Sequence, residues 1–80
     1  MKAPRELITD LIVQIAKVDP ALVRPDARFI DFGLDSVKAL DLVVELEEAY
    51  ELEIPDRDLV EVRTLGELAT YVENRLERGA

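Results

Sequence analysis

Carboxylates are the most numerous of the reactive side chains in this 80-residue sequence, which contains no cysteine and no histidine. The usual zinc, iron–sulfur and haem ligand sets therefore cannot be assembled, and no hydroxyl has an imidazole to serve as its base. General acid–base work would fall to carboxylate pairs such as Asp56 with Asp58 or Glu47 with Glu48. Those pairs lie among polar, charged neighbours with no apolar surround to raise one pKa, so catalysis is the weakest reading and no enzyme is expected. Asp56-Arg57-Asp58 also fails as a calcium loop, because Val60 takes the third ligand position and no glycine follows; no metal site is expected. One hydroxyl stands in a suggestive setting, Ser36 in the run Gly33-Leu34-Asp35-Ser36. Asp and Ser both favour helix N-caps and Gly33 supplies a flexible turn, so on these residues alone capping is the first reading.

The elements that position Ser36 follow from apolar periodicity. Leu7, Ile8, Leu11, Ile12, Ile15 and Val18 recur at helical spacing over residues 5–18, with Pro4 suited to a first turn and Asp19-Pro20 as the stop. A second helix begins at Asp35 or Ser36 and runs to about Tyr50, with Glu51 fraying. Ile54-Pro55-Asp56 reads as a break before a short helical piece over 56–60. Thr64 followed by Glu67 is a capping box that opens a last apolar series, Leu65, Leu68, Ala69, Val72 and Leu76, closed by Gly79. No segment alternates with period two over a strand length. The expected fold is all-α, one domain over residues 1–80: a small four-helix bundle of three main helices and one short helix. A long loop, residues 19–34, joins the first two helices; Leu22, Val23, Phe29, Ile30 and Phe32 are expected to pin it to the bundle, and Pro20 and Pro25 to restrict it.

The net charge of −8 is unevenly placed. Residues 35–53 carry seven acids against Lys38 alone, a net −6. Like charges at i, i+3 and i, i+4, such as Asp41 with Glu45 and Glu47 with Glu51, each cost about 0.2–0.5 kcal/mol in an isolated helix, so local stability does not account for them. On a helical wheel Ala39, Leu42, Val43, Leu46, Ala49 and Tyr50 form a core face, while Val37, Leu40 and Val44 fall on the opposite side among Asp41, Glu47, Glu48 and Glu51. That second strip suits a basic partner with a hydrophobic groove; the plainer alternative is that the loop or the short helix covers it. The acidic balance argues against nucleic acid and against anionic membrane surfaces. No apolar run exceeds three residues, so no membrane span is expected, and a cytoplasmic monomer is the expectation.

The run Asp31-Phe32-Gly33-Leu34-Asp35-Ser36-Val37 at a loop-to-helix junction, followed by an acidic amphipathic helix, closely resembles the attachment site of acyl carrier proteins. Leu46-Glu47-Glu48, Ile54-Pro55 and Thr64-Leu65-Gly66-Glu67-Leu68 extend the resemblance over nearly the whole chain. It implies that Ser36 receives a covalent 4′-phosphopantetheine arm from coenzyme A through a separate phosphopantetheinyl transferase. It further implies that Asp35 helps that transferase hold a divalent metal, that Gly33 and Leu34 present the serine, and that Val37, Leu40, Asp41, Val44, Glu47 and Glu48 form the recognition face for acyl-loading and acyl-processing enzymes with basic docking patches. The exposed hydroxyl can be activated by the transferase's own groups, so the serine needs no base of its own, and the phosphate then sits near the positive end of the helix dipole. Lys38 departs from the acid or small polar residue of many fatty-acid carriers. Phe32-Gly33-Leu34-Asp35-Ser36 looks more like fatty-acyl or polyketide types than peptidyl ones, with aminoacyl or D-alanyl carriers as the alternative cargo class and an unmodified acidic interaction module as the rival outside the family. Cargo sheltered between the Val-, Leu-, Ile- and Ala-rich helices is a further expectation.

Overall fold

A computed structural model describes residues 2–78. Its elements are α1 (Pro4–Ala16), α2 (Ser36–Tyr50), α3 (Asp56–Leu59) and α4 (Leu65–Glu77), with single 3-10 turns at Pro20–Leu22 and Phe29–Phe32 in the first loop. The expected all-α bundle with one short helix is the fold observed. Among the described residues the only β-type pairing is an isolated bridge between Arg28 and Thr64.

Pro4 opens α1 as expected, where its missing N–H costs nothing. The helix ends two residues earlier than its apolar spacing suggests. Lys17 turns left-handed (φ 58°) and donates its N–H to Val13 O at 2.9 Å, closing the helix before Asp19-Pro20 can act. Asp19 instead caps the next turn, accepting the Ala21 N–H at 2.9 Å. Val18 still packs on the core from outside the helix.

The first loop is built rather than slack. Val23, Phe29 and Phe32 pack against the core, but Leu22 and Ile30, expected to pin the loop, are 63% and 73% exposed. In a 3-10 turn residues i and i+3 eclipse, so Phe29 and Phe32 face inward together and leave Ile30 outside; in the Pro20–Leu22 turn all three residues are exposed and Val23, just after it, makes the core contact. Two backbone bonds tie the loop to the start of α4: Phe29 N–H to Arg63 O at 3.1 Å and Gly66 N–H to Pro25 O at 2.8 Å. A Cβ on Gly66 would lie 2.9 Å from that same oxygen, which is why glycine is needed inside a helical first turn.

α1 packs against both α2 and α4. Ile8 and Ile12 of α1, Leu42 and Leu46 of α2, and Leu68 and Val72 of α4 are its fully buried centre. Val43 and Tyr50 join the expected core face of α2 and Ala39 is half-buried, but Ala49, at the edge of the arc, is exposed. Tyr50 stays buried with its hydroxyl donating to Lys2 O at 2.7 Å. In α4 the capping box forms as expected: Glu67 N–H to Thr64 Oγ1 and Thr64 N–H to Glu67 Oε1, both 3.1 Å. Leu76, in the last turn of that helix, is 36% exposed rather than buried. The expected stop at Gly79 lies outside the described residues.

Candidate functional site

Three short-range features fix where Ser36 stands. Gly33 adopts φ 74°, a left-handed conformation that side chains resist, and donates to Ile30 O at 3.0 Å to close the Phe29–Phe32 turn. Leu34, 6% exposed, is driven into the core and donates its N–H to Phe29 O at 3.3 Å. Asp35 is then the N-cap of α2, its Oδ1 accepting the Lys38 N–H at 2.9 Å. The cap thus belongs to Asp35 alone. Ser36 occupies the first helical position, exposed, and its hydroxyl makes no hydrogen bond among the described residues.

Beside Ser36 opens an apolar cavity of about 320 Å³ between α2, α3 and the start of α4. Leu40 and Val43 of α2 and Leu59, Val60 and Val62 of the α3 segment line it together with Phe29 and Leu68; only Ser36 and Asp56 among its lining residues are polar. The residues from 56 to 62 were not legible as site residues. Their signal was the apolar series Leu59, Val60, Val62 following the Ile54-Pro55 break, but lining one cavity with Ser36 is a tertiary fact that periodicity does not carry.

The outer face of α2 is open. Val37, Leu40 and Val44 are 66%, 51% and 47% exposed, so among the described residues neither the loop nor α3 covers them. Asp41 and Glu48 are exposed beside this strip, while Glu47 is half-buried and its Oε2 accepts the Ile54 N–H at 2.8 Å. Glu47 therefore also fastens the chain that leads into α3, a duty the wheel does not reveal. Lys38 is exposed and has no carboxylate partner among the described residues; the ion pairs Lys2–Asp10 and Arg5–Glu73 both start from the N-terminal region.

An exposed hydroxyl at the positive end of a 15-residue helix fits a phosphate ester, since the first-turn N–H groups and the helix dipole both favour an anion there. Ser36 is also the only serine in the sequence. No described helix is long and apolar enough to cross a membrane.

Residues 6–72 match the family described as the phosphopantetheine attachment site. The chain is 41% identical over 69 residues to the acyl carrier protein of Bdellovibrio bacteriovorus, covering 85% of this chain and 88% of that protein. It is 31% identical over 67 residues to the meromycolate extension acyl carrier protein of Mycobacterium leprae, covering 82% of this chain and 58% of that protein. Among solved structures, a free-standing peptidyl carrier protein from a secondary metabolic pathway of Acinetobacter baumannii superposes with a TM-score of 0.80 at 32% identity, over 90% of each chain. The HMG-ACPI domain of the CurA module from Lyngbya majuscula has a TM-score of 0.81 at 22% identity, covering 95% of this chain and 78% of that one, a likeness of fold alone. The chain belongs to the phosphopantetheine attachment-site family of acyl carrier proteins, carriers of a covalently attached 4′-phosphopantetheine and not catalysts.

Proposed function

We infer that Ser36 is the attachment residue of this carrier. The observation that carries this reading is the free Ser36 hydroxyl, spared from capping by Asp35 and held at the start of α2 beside an apolar cavity. When bound, 4′-phosphopantetheine supplies the thiol to which cargo is joined. The protein's part is to hold the Ser36 oxygen in solvent, to place the positive end of α2 next to the phosphate, and to leave proton removal to the phosphopantetheinyl transferase. Asp35, whose Oδ1 accepts the cap bond, helps that transferase hold its divalent metal in this reading.

The exposed strip Val37, Leu40 and Val44, framed by Asp41, Glu47 and Glu48, is the surface offered to the transferase and to acyl-loading and acyl-processing enzymes with basic patches. An apolar cavity beside the serine favours fatty-acyl or polyketide-type cargo over aminoacyl or D-alanyl cargo, whose ammonium would lose solvation there. The setting proposed is a cytoplasmic, monomeric carrier. The test is intact mass after incubation with coenzyme A and a phosphopantetheinyl transferase. The expected result is a gain of one phosphopantetheine in the wild type and none in Ser36→Ala; no gain, or a gain that persists in the variant, overturns the assignment.

A further inference from the structure

α3 is the least anchored of the helices. It is four residues long, its N-cap Pro55 makes no side-chain hydrogen bond, and none of its residues is fully buried; a single turn of this kind has no stability of its own. Yet it and the segment after it build one wall of the cavity beside Ser36, through Asp56, Leu59, Val60 and Val62.

Among the described residues, one side chain of α3 makes a hydrogen bond. Asp58 Oδ2 accepts from the Tyr71 hydroxyl of α4 at 2.5 Å, and that hydroxyl in turn accepts from Arg75 Nη1 at 2.8 Å. The Arg75 guanidinium lies 5.8 Å from the Tyr71 ring centroid, which keeps it over the ring one helical turn away. Asp58 and Arg75 form no direct ion pair within 4.0 Å. The tyrosine hydroxyl stands between anion and cation, donating to one and accepting from the other. Each partner polarises it toward the other. Burial, and then the bond to Asp58, pushes the Tyr71 phenol above its ordinary value, so the donor stays protonated at neutral pH.

We propose that Tyr71 is a positioning residue that latches the cavity wall: the Asp58–Tyr71–Arg75 chain holds the α3 turn against α4, and its release lets residues 56–62 lift as a unit and open the cavity beside Ser36. The consequence for cargo rests on the function proposed above; the latch itself does not.

Hydrogen exchange of the unmodified chain tests it without any attached group. The Asp58 and Val62 amides, bonded to Pro55 O at 3.0 Å and Leu59 O at 3.1 Å, report the opening of the turn. In Tyr71→Phe, which keeps the ring and removes the hydroxyl, they exchange roughly five- to tenfold faster, the change set by about one hydrogen bond, while α1 and α2 amides keep their protection. Asp58→Ala gives the same local pattern, and the double variant exchanges no faster than either single one, because both remove the same link. Unchanged exchange at Asp58 and Val62, additive acceleration in the double variant, or an equal rise throughout the bundle overturns the latch. A second readout separates the latch from the cargo reading. Hydroxylamine cleavage of an octanoyl thioester on the holo protein is faster in Tyr71→Phe, while that of an acetyl thioester is unchanged. Equal octanoyl rates alongside locally accelerated exchange leave the latch standing and defeat the cavity as a cargo shelter.

Discussion

Replacing Glu47 by alanine separates two roles that the sequence merges. Glu47 and Glu48 look alike as neighbouring acids on the exposed side of α2, but the Glu47 carboxylate is the acceptor for the Ile54 N–H at 2.8 Å, and Ile54 is only 5% exposed. Removing that acceptor leaves a shielded amide unpaired, at a cost of about 1–3 kcal/mol. Relief of the like-charge spacing with Glu51 returns about 0.2–0.5 kcal/mol. The net loss is about 0.5–3 kcal/mol, which lowers the melting temperature of a domain this size by roughly 2–20 °C. Glu48→Ala removes an equal charge with no such bond and stays within about 0.5 kcal/mol of the wild type. Glu47→Gln keeps an oxygen acceptor and loses only the charge-assisted part. Urea unfolding monitored by circular dichroism measures all three. Equal stability of Glu47→Ala and Glu48→Ala would refute the assignment of Glu47 to the α3 approach and return it to plain surface charge.

Three other outcomes follow from the same structure. Gly66→Ala improves helix propensity by about 1 kcal/mol, yet it is expected to destabilise the protein in thermal unfolding, because its Cβ meets the Pro25 carbonyl at 2.9 Å and the loop must shift; a stabilised variant would show that this approach is not tight. Glu67 has its carboxyl held below the ordinary glutamate value, first by the Arg63 N–H and then by the bonds from Thr64. Its contribution is therefore complete above the ordinary value and drains away as pH falls through the depressed one, so unfolding free energy should fall less steeply in Glu67→Gln than in wild type between about pH 5 and about pH 3; parallel curves contradict the cap's part in acid stability. Glu48→Gln and Asp41→Asn should slow transferase modification at low ionic strength and converge on the wild-type rate at high salt, whereas rates equal at low salt would remove that face from the interface.

The parts of the fold set by local signals were readable from the sequence. Thr64 with Glu67, Pro4 at a first turn, the boundaries of α2 and the start of α3 are each decided by a few adjacent residues, and each stands where the sequence puts it, with α3 ending one residue early at Leu59. The misses arose where geometry at longer range decides. Lys17 closes α1 early by a left-handed turn that no residue preference signals. Ile30 shares the hydrophobicity of its neighbours, and only the eclipsed geometry of a 3-10 turn, with Phe29 and Phe32 inward, turns it outward; Leu22 lies in a turn that is exposed throughout. At the site, the Gly33-to-Ser36 run and the open strip on α2 were legible because both are local to one junction and one helix. The cavity wall, the Glu47 bond and the Tyr71 link were not, since each joins residues that are distant in sequence or lie on different elements.

The central claim is that the single free hydroxyl at the start of α2 is where this carrier is charged. Peptide mapping of transferase-treated protein addresses it directly, because trypsin cuts after Arg28 and Lys38 and releases residues 29–38 with Ser36 as their only hydroxyl-bearing residue. Phosphopantetheine is expected on that peptide alone, fragmenting from Ser36. Modification on a peptide carrying Thr9, Thr64 or Thr70, with residues 29–38 unmodified, would contradict it.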